Sequence, residues 1–206
     1  MDALKEKIIA GDEIGTAEIV RSLLDDHVEV ETIMKQGLIA AMDEVGARFQ
    51  AGRSYLPEML VAAQAMKSGL AVLEPLIKGG AVKPAGTAVI GTMQGDLHDI
   101  GKNLVIMSLE GAGFEVIDLG MDVPPAKFVD AIAAHQPRVV GMSALLSTTM
   151  AGMEKTIKAI EAAGLRDGIK IMVGGAPVNQ TFADQIGADF YGKDSVAAKV
   201  FAVEAL

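Results

Sequence analysis

The chain has no cysteine and no tryptophan. Without cysteine there can be no disulfide, no thiolate zinc site and no cysteine nucleophile, which suits a reducing compartment. Aromatic residues make up only 4% of the 206 positions, whereas methionine occurs 12 times. Small and flexible apolar side chains must therefore fill the core; the alternative for some of the methionines is the wall of a site for a large flat ligand. Basic clusters are missing too, and a formal charge of -9 excludes a nucleic-acid partner, which demands a basic surface. No run approaches the ~20 apolar residues of a membrane helix. Met1 to Lys7 lacks the apolar stretch of a signal peptide. The expectation is a soluble cytoplasmic protein with neither a membrane nor a nucleic acid as partner.

What is present falls into two rhythms. Up to about Lys78 the apolar residues keep helical spacing, as in Ile33, Met34, Gly37, Leu38, Ala41 and Val45, and again in Met59, Leu60, Ala63, Met66, Leu70 and Leu73. Ala51 to Ser54 separates these two long helices, and shorter ones are expected over Leu4–Ala10 and Thr16–Asp26. Four helices with short connections predict an antiparallel bundle over residues 1–80. Breakers mark a linker over 81–86, within the stretch Lys78 to Gly86.

From residue 87 to 206, short apolar runs alternate with helical stretches. The runs are Thr87–Thr92, Glu115–Leu119, Val139–Ser143, Lys170–Val173 and Asp189–Tyr191. Continuous apolar strands separated by helices predict a parallel sheet covered on both faces. Five of them predict a flavodoxin-like (Rossmann-like) α/β domain whose ligand binds at the carboxyl edge of the strands.

The first strand runs into Gly95-Asp96-Leu97-His98-Asp99-Ile100-Gly101-Lys102-Asn103, at that edge. A phosphate-binding P-loop needs four residues between its glycines and Ser or Thr after the lysine. Here five residues separate Gly95 from Gly101, and Asn103 follows Lys102. The three-glycine dinucleotide fingerprint is absent. A zinc site needs several convergent ligands, yet His27 and His135 lie in distant helical stretches. What remains is one loop histidine with Asp96 two residues before it. A metal-ligating histidine commonly has its second ring nitrogen held by a carboxylate, and one protein ligand suffices if the metal arrives in a macrocycle. An Asp–His pair serving only local structure fits the spacing equally well.

Asp96-x-His98-x-x-Gly101 resembles the B12-binding signature of methionine synthase and of corrinoid methyltransferase proteins. Val140 to Thr149 resembles that family's third-strand segment, Val173-Gly174-Gly175-Ala176 its fourth, and Phe49 to Glu58 its helical cap. The resemblance implies a bound cobalamin or related corrinoid in the base-off form, with its nucleotide tail buried in the α/β domain and His98 as the lower ligand to cobalt. It further implies a relay of His98, Asp96 and Thr149, in which Thr149 replaces a serine; helix capping is the other reading of Thr149. Gly95 and Gly101 would let backbone approach the corrin, Ser143 and Ser147 would contact the tail, and Gly174 and Gly175 would make room for it. Leu97, Asp99, Leu145 and Tyr191 complete the expected cofactor-binding set, and Phe49 and Leu56 match the residues that cover the upper face.

By the same resemblance the chain carries a methyl group on cobalt, cycling between Co(I) and methyl-Co(III), and is not catalytic alone. Protonating the relay would weaken the His98 bond and favour Co(I). The implied partners are a substrate-specific methyltransferase, a second methyltransferase acting on tetrahydrofolate or coenzyme M, and a reductive activase. The alternative is a corrinoid storage, sensing or reactivation protein. A phosphorylation-dependent receiver is excluded, because Met142-Ser143 stands where its acceptor aspartate would be. The length leaves no room for the barrel of a carbon-skeleton mutase, and a DNA-binding regulator lacks its basic module.

Overall fold

A computed structural model of the chain describes residues 1–78 and 84–206, with Gln50, Ile77 and Lys78 described by backbone alone. Residues 79–83, which hold part of the expected linker, lie outside the described residues. The chain divides into two compact units, Met1–Pro84 with Gly111–Gly113, and Ala85–Glu110 with Phe114–Leu206.

The helical unit opens with α1 (Asp2–Ile9) and α2 (Glu13–Asp25). Asp12 caps α2 by accepting from the Gly15 N–H at 2.9 Å, satisfying one of the donors a helix start leaves open. A short α3 (Val30–Thr32) leads without a break into a π-helical stretch over Ile33–Ile39 and then α4 (Ala40–Gln50). The buried positions here are 33/34, 37/38, 41/42 and 45/46, a repeat of every fourth residue. A regular α-helix at about 3.6 residues per turn would drift off such a stripe. The wider π turn, with its i→i+5 bonding, restores the alignment. The long α5 (Leu56–Lys78) packs along α2, and Leu4, Ile8, Val20, Leu38 and Leu73 are fully enclosed between the helices.

The second unit is the α/β domain expected from the alternation. Its strands are β1 (Thr87–Thr92), β2 (Glu115–Asp118), β3 (Val139–Ser143), β4 (Lys170–Gly174) and β5 (Phe190–Gly192). All pair in parallel in the order β2-β1-β3-β4-β5. The crossovers are α6 (Ile100–Glu110), α7 (Pro125–His135), α8 (Ser147–Ala162) and α9 (Gln180–Ile186), and α10 (Ser195–Glu204) closes the chain. α6 lies beside α10 and α7 beside α8, giving a helical layer on each face. Central strands buried on both faces explain why β1 and β3 read as unbroken apolar runs. Strand order reverses between β1 and β3, so their connections run to opposite faces of the sheet, and the crevice that accompanies such a reversal lies at the carboxyl edge.

Candidate functional site

The loop after β1 carries His98 into that crevice, and the loop after β3 meets it there. The Asp96 side chain is fully enclosed (0% exposed), while that of His98 is 53% exposed. Asp96 Oδ1 lies 2.7 Å from His98 Nδ1 and accepts the His98 backbone N–H at 3.0 Å. Its Oδ2 accepts from Leu145 N–H at 2.8 Å, Leu146 N–H at 3.2 Å and the Thr149 hydroxyl at 2.8 Å. One carboxylate thereby joins two loops about fifty positions apart in sequence.

Burial alone would push the Asp96 carboxyl upward. The hydrogen bonds from Leu145 N–H, the His98 ring, His98 N–H and Thr149 more than offset this, and the group is held far below the usual carboxylate range. The N-terminal end of α8 adds to the preference for negative charge. An ionised carboxylate can only accept, so the imidazole proton belongs on Nδ1 and Nε2 keeps its lone pair. No hydrogen bond to that Nε2 is found among the described residues.

Thr149 is the third residue of α8, and the cap position, Leu146, has no side-chain cap. The Thr149 hydroxyl faces Asp96 and also the Leu146 carbonyl at 2.8 Å. Of the other expected residues, Gly95, Leu97, Asp99 and Gly101 lie on the His98 loop or the first turn of α6. Ser143 ends β3, Leu145 follows it and Ser147 opens α8. Gly174 ends β4, where a Cβ would come within 2.9 Å of the Gly192 carbonyl. At Gly175 (φ +122) a Cβ would stand 1.8 Å from the Ala144 carbonyl, so only glycine lets these two loops touch. Tyr191 is the central residue of β5 and packs against the core of the sheet. Phe49, in the last turn of α4, and Leu56, the first residue of α5, belong to the helical unit.

Several participants carried no signal in the sequence. Leu146 reaches Asp96 through its backbone amide. Ile100 (65% exposed) and Met121 (45%) join Leu97 (70%), Leu145 (43%) and Leu146 (41%) as exposed apolar side chains on the loops around His98. Lys102, enclosed at 2% exposure, donates to Asp118 at 2.8 and 2.9 Å and to Asn103 at 2.7 Å; Asn103 in turn donates to Asp99 at 3.0 Å. Asp122 accepts the Gly95 N–H at 2.7 Å. The one available hint was turn chemistry in Leu119-Gly120-Met121-Asp122, where Gly120 and Asp122 both take left-handed backbone.

Residues 86–200 match the B12 binding domain family, and residues 1–74 match a second family of the same description. Trimethylamine corrinoid protein 1 of Methanosarcina acetivorans is 42% identical over 98% of this chain and 99% of its own length. The dimethylamine corrinoid protein of Methanosarcina barkeri is 44% identical over 87% and 85%. Among solved structures, the methanol:cobalamin methyltransferase complex MtaBC of Methanosarcina barkeri superposes with a TM-score of 0.87 at 29% identity, covering 97% of this chain and 76% of that one. A cobalamin-binding protein of Desulfitobacterium hafniense gives 0.78 at 31% identity, over 100% and 98%. With a crevice at the sheet's reversal point, a carboxylate-held histidine in it and family matches over both units, the chain belongs to the B12-binding corrinoid proteins.

Proposed function

We propose that this protein is a corrinoid carrier that takes a methyl group from a substrate-specific methyltransferase and yields it to a second methyltransferase, with His98 as the lower ligand to cobalt. The observation that carries the reading is His98 itself: Nδ1 is 2.7 Å from an enclosed carboxylate, and Nε2 is turned free on a half-exposed ring.

The residues present fit a corrin. Leu97, Ile100, Met121, Leu145 and Leu146 are exposed apolar side chains on the segments that meet at the His98 loop, and such surface suits a broad macrocycle. Gly101 offers open space, since nothing lies within 4 Å of a Cβ built there. Among the described residues no three His, Asp or Glu side chains converge on a metal position, so the remaining ligands must come with the metal. When bound, the corrinoid supplies a cobalt that accepts and releases the methyl group.

The chain's own contribution is to hold and tune one ligand. Asp96 fixes the tautomer of His98 and raises the donor strength of Nε2. The amides of Leu145 and Leu146 and the hydroxyl of Thr149 keep Asp96 ionised and stationary. The carboxylate, saturated with donors, stays an acceptor toward Nδ1 and so leaves the Nε2 lone pair for the ligand position. Ser143 at the end of β3, Ser147 at the start of α8, and Gly174 and Gly175 at and just after the end of β4 are assigned to the nucleotide tail.

Among the described residues no helix is long and apolar enough to cross a membrane. We place the carrier in the cytoplasm, which suits a chain without cysteine. A reductive activase that returns oxidised cobalt to the nucleophilic state belongs with the two methyltransferases as a partner. Relatives are named for trimethylamine and dimethylamine, so an N-methyl donor is the first to test. The experiment is to load the apoprotein with methylcobalamin and compare the absorption spectra of wild type and His98→Ala. A difference that reports loss of the histidine ligand is expected, together with methyl uptake from a purified methylamine methyltransferase. Coincident spectra across pH refute the ligand assignment, and failure of uptake with every donor enzyme favours a storage role.

A further inference from the structure

The five hydrogen bonds on Asp96 fix its carboxylate but not the turn that presents it. That turn is made at Gly95, whose φ of +83 is left-handed. Its N–H donates to Oδ1 of Asp122 at 2.7 Å. Asp122, 27 positions away on the loop between β2 and α7, is itself left-handed at φ +53. Its own N–H donates to the Asp96 carbonyl at 3.1 Å. Side chain and main chain of one residue thus clasp two successive residues of the His98 loop. A left-handed non-glycine residue stores roughly 1–2 kcal/mol of strain, less for aspartate, and persists only where its surroundings hold it. Here the two clasping bonds do so. On the far side of the loop, the Thr92 hydroxyl donates to the His98 carbonyl at 3.1 Å, so the segment is held from both β1 and the β2–α7 loop.

We propose that Asp122 is a positioning residue of the corrinoid site, which holds the Gly95–Asp96 backbone and through it the orientation of the His98 imidazole. The inference rests on the assignment of His98 as the cobalt ligand, and it adds a residue that meets the relay only at the Asp96 main chain. The hydrogen bond requires only an acceptor oxygen, so asparagine can replace aspartate there, whereas alanine cannot. Asp122 is exposed and its loss empties no core, so both variants fold.

Two readouts separate this inference from the ligand assignment. In the apoprotein, backbone exchange of the Gly95 amide becomes about tenfold faster in Asp122→Ala, as expected for loss of a bond to a charged acceptor, and stays near wild type in Asp122→Asn. In the cobalamin-loaded protein, the spectral fraction with histidine on cobalt falls in Asp122→Ala and is restored in Asp122→Asn. Unchanged amide exchange in Asp122→Ala overturns the clasp, whatever His98 does. Faster exchange with an unchanged histidine-ligated spectrum overturns the positioning role. Equal loss in both variants also overturns it, since charge rather than the hydrogen bond is then responsible. If wild type and His98→Ala share one spectrum, the ligand assignment has failed and the positioning role with it, while the exchange data still judge the clasp.

Discussion

Replacing Asp96 by alanine removes the acceptor for five donors, and the structure allows its effect on the apoprotein to be worked out donor by donor. The Thr149 hydroxyl has the Leu146 carbonyl at 2.8 Å to turn to, and the half-exposed His98 ring can use water. The backbone amides of His98, Leu145 and Leu146 lose the acceptor they have among the described residues. At roughly 1–3 kcal/mol for each unsatisfied buried donor, with water able to enter the vacated space, the loss is about 3 kcal/mol. Asp96→Asn leaves one oxygen, but either amide orientation sets an NH2 group against an N–H, so a loss of about 2 kcal/mol is expected. Urea unfolding of the apoproteins at neutral pH measures both. The pH dependence supplies the sign. The folded carboxyl titrates far below the unfolded value of about 3.9. Between these two values the unfolded chain binds more protons, so the Asp96 contribution is complete above about pH 5 and is lost as pH falls through that window. The gap between wild type and Asp96→Asn must therefore narrow on acidification. A gap that stays constant from about pH 7 to 3, or an Asp96→Asn variant as stable as wild type at neutral pH, refutes the reasoning.

Gly101→Ala is expected to act with opposite signs on two measurements. A Cβ there meets nothing within 4 Å in the chain, so thermal stability of the apoprotein rises by up to ~1 kcal/mol on helix propensity, whereas cobalamin affinity measured by titration falls. Gly175→Ala should destabilise by about 3 kcal/mol or more in urea unfolding, from a 1.8 Å clash with the Ala144 carbonyl. Its control is Gly164→Ala, left-handed at φ +70 with open space around it, where only the roughly 1 kcal/mol of backbone strain applies. Asp118→Ala should cost about 3–5 kcal/mol by leaving the enclosed Lys102 cation short of partners, while Lys102→Met is close to neutral because the half-exposed Asp118 regains water. Equal unfolding midpoints for this last pair contradict that account.

The sheet was legible in the sequence because burial on both faces writes itself as an unbroken apolar run, and Thr87–Thr92 and Val139–Ser143 begin and end where expected. The edge strand β2 is shorter by one residue, since Leu119 already belongs to the turn that carries Gly120 and Asp122. His98, Asp96 and Thr149 were named from the motifs, and the structure brings their side chains together. What the motif could not convey is partnership at a distance. Asp122 and Leu146 act through a backbone contact that depends on how two loops meet, and Lys102 gave no sign that it would be enclosed against Asp118. The exposed Ile100 and Met121 carried no signal because an apolar residue in a loop or first helical turn reads as ordinary surface until its neighbours are known.

The four-residue repeat through Ile33–Gly46 likewise passed as an ordinary helix, though it carries a consequence for deletions. Removing one exposed residue of the π turn, Lys35 or Gln36, would let the segment close as a regular α-helix. Everything after it would keep its face, because one residue fewer at about 100° each turns through nearly the same angle as the wider π turn. The Ala41/Met42 and Val45/Gly46 pairs would stay in the bundle interior, at α-helical spacing from Ile33/Met34, and Phe49 would keep its direction. A deletion within Ala40–Gln50, where no residue is in excess of the α-helical count, would instead turn the remainder of that helix by about 100°.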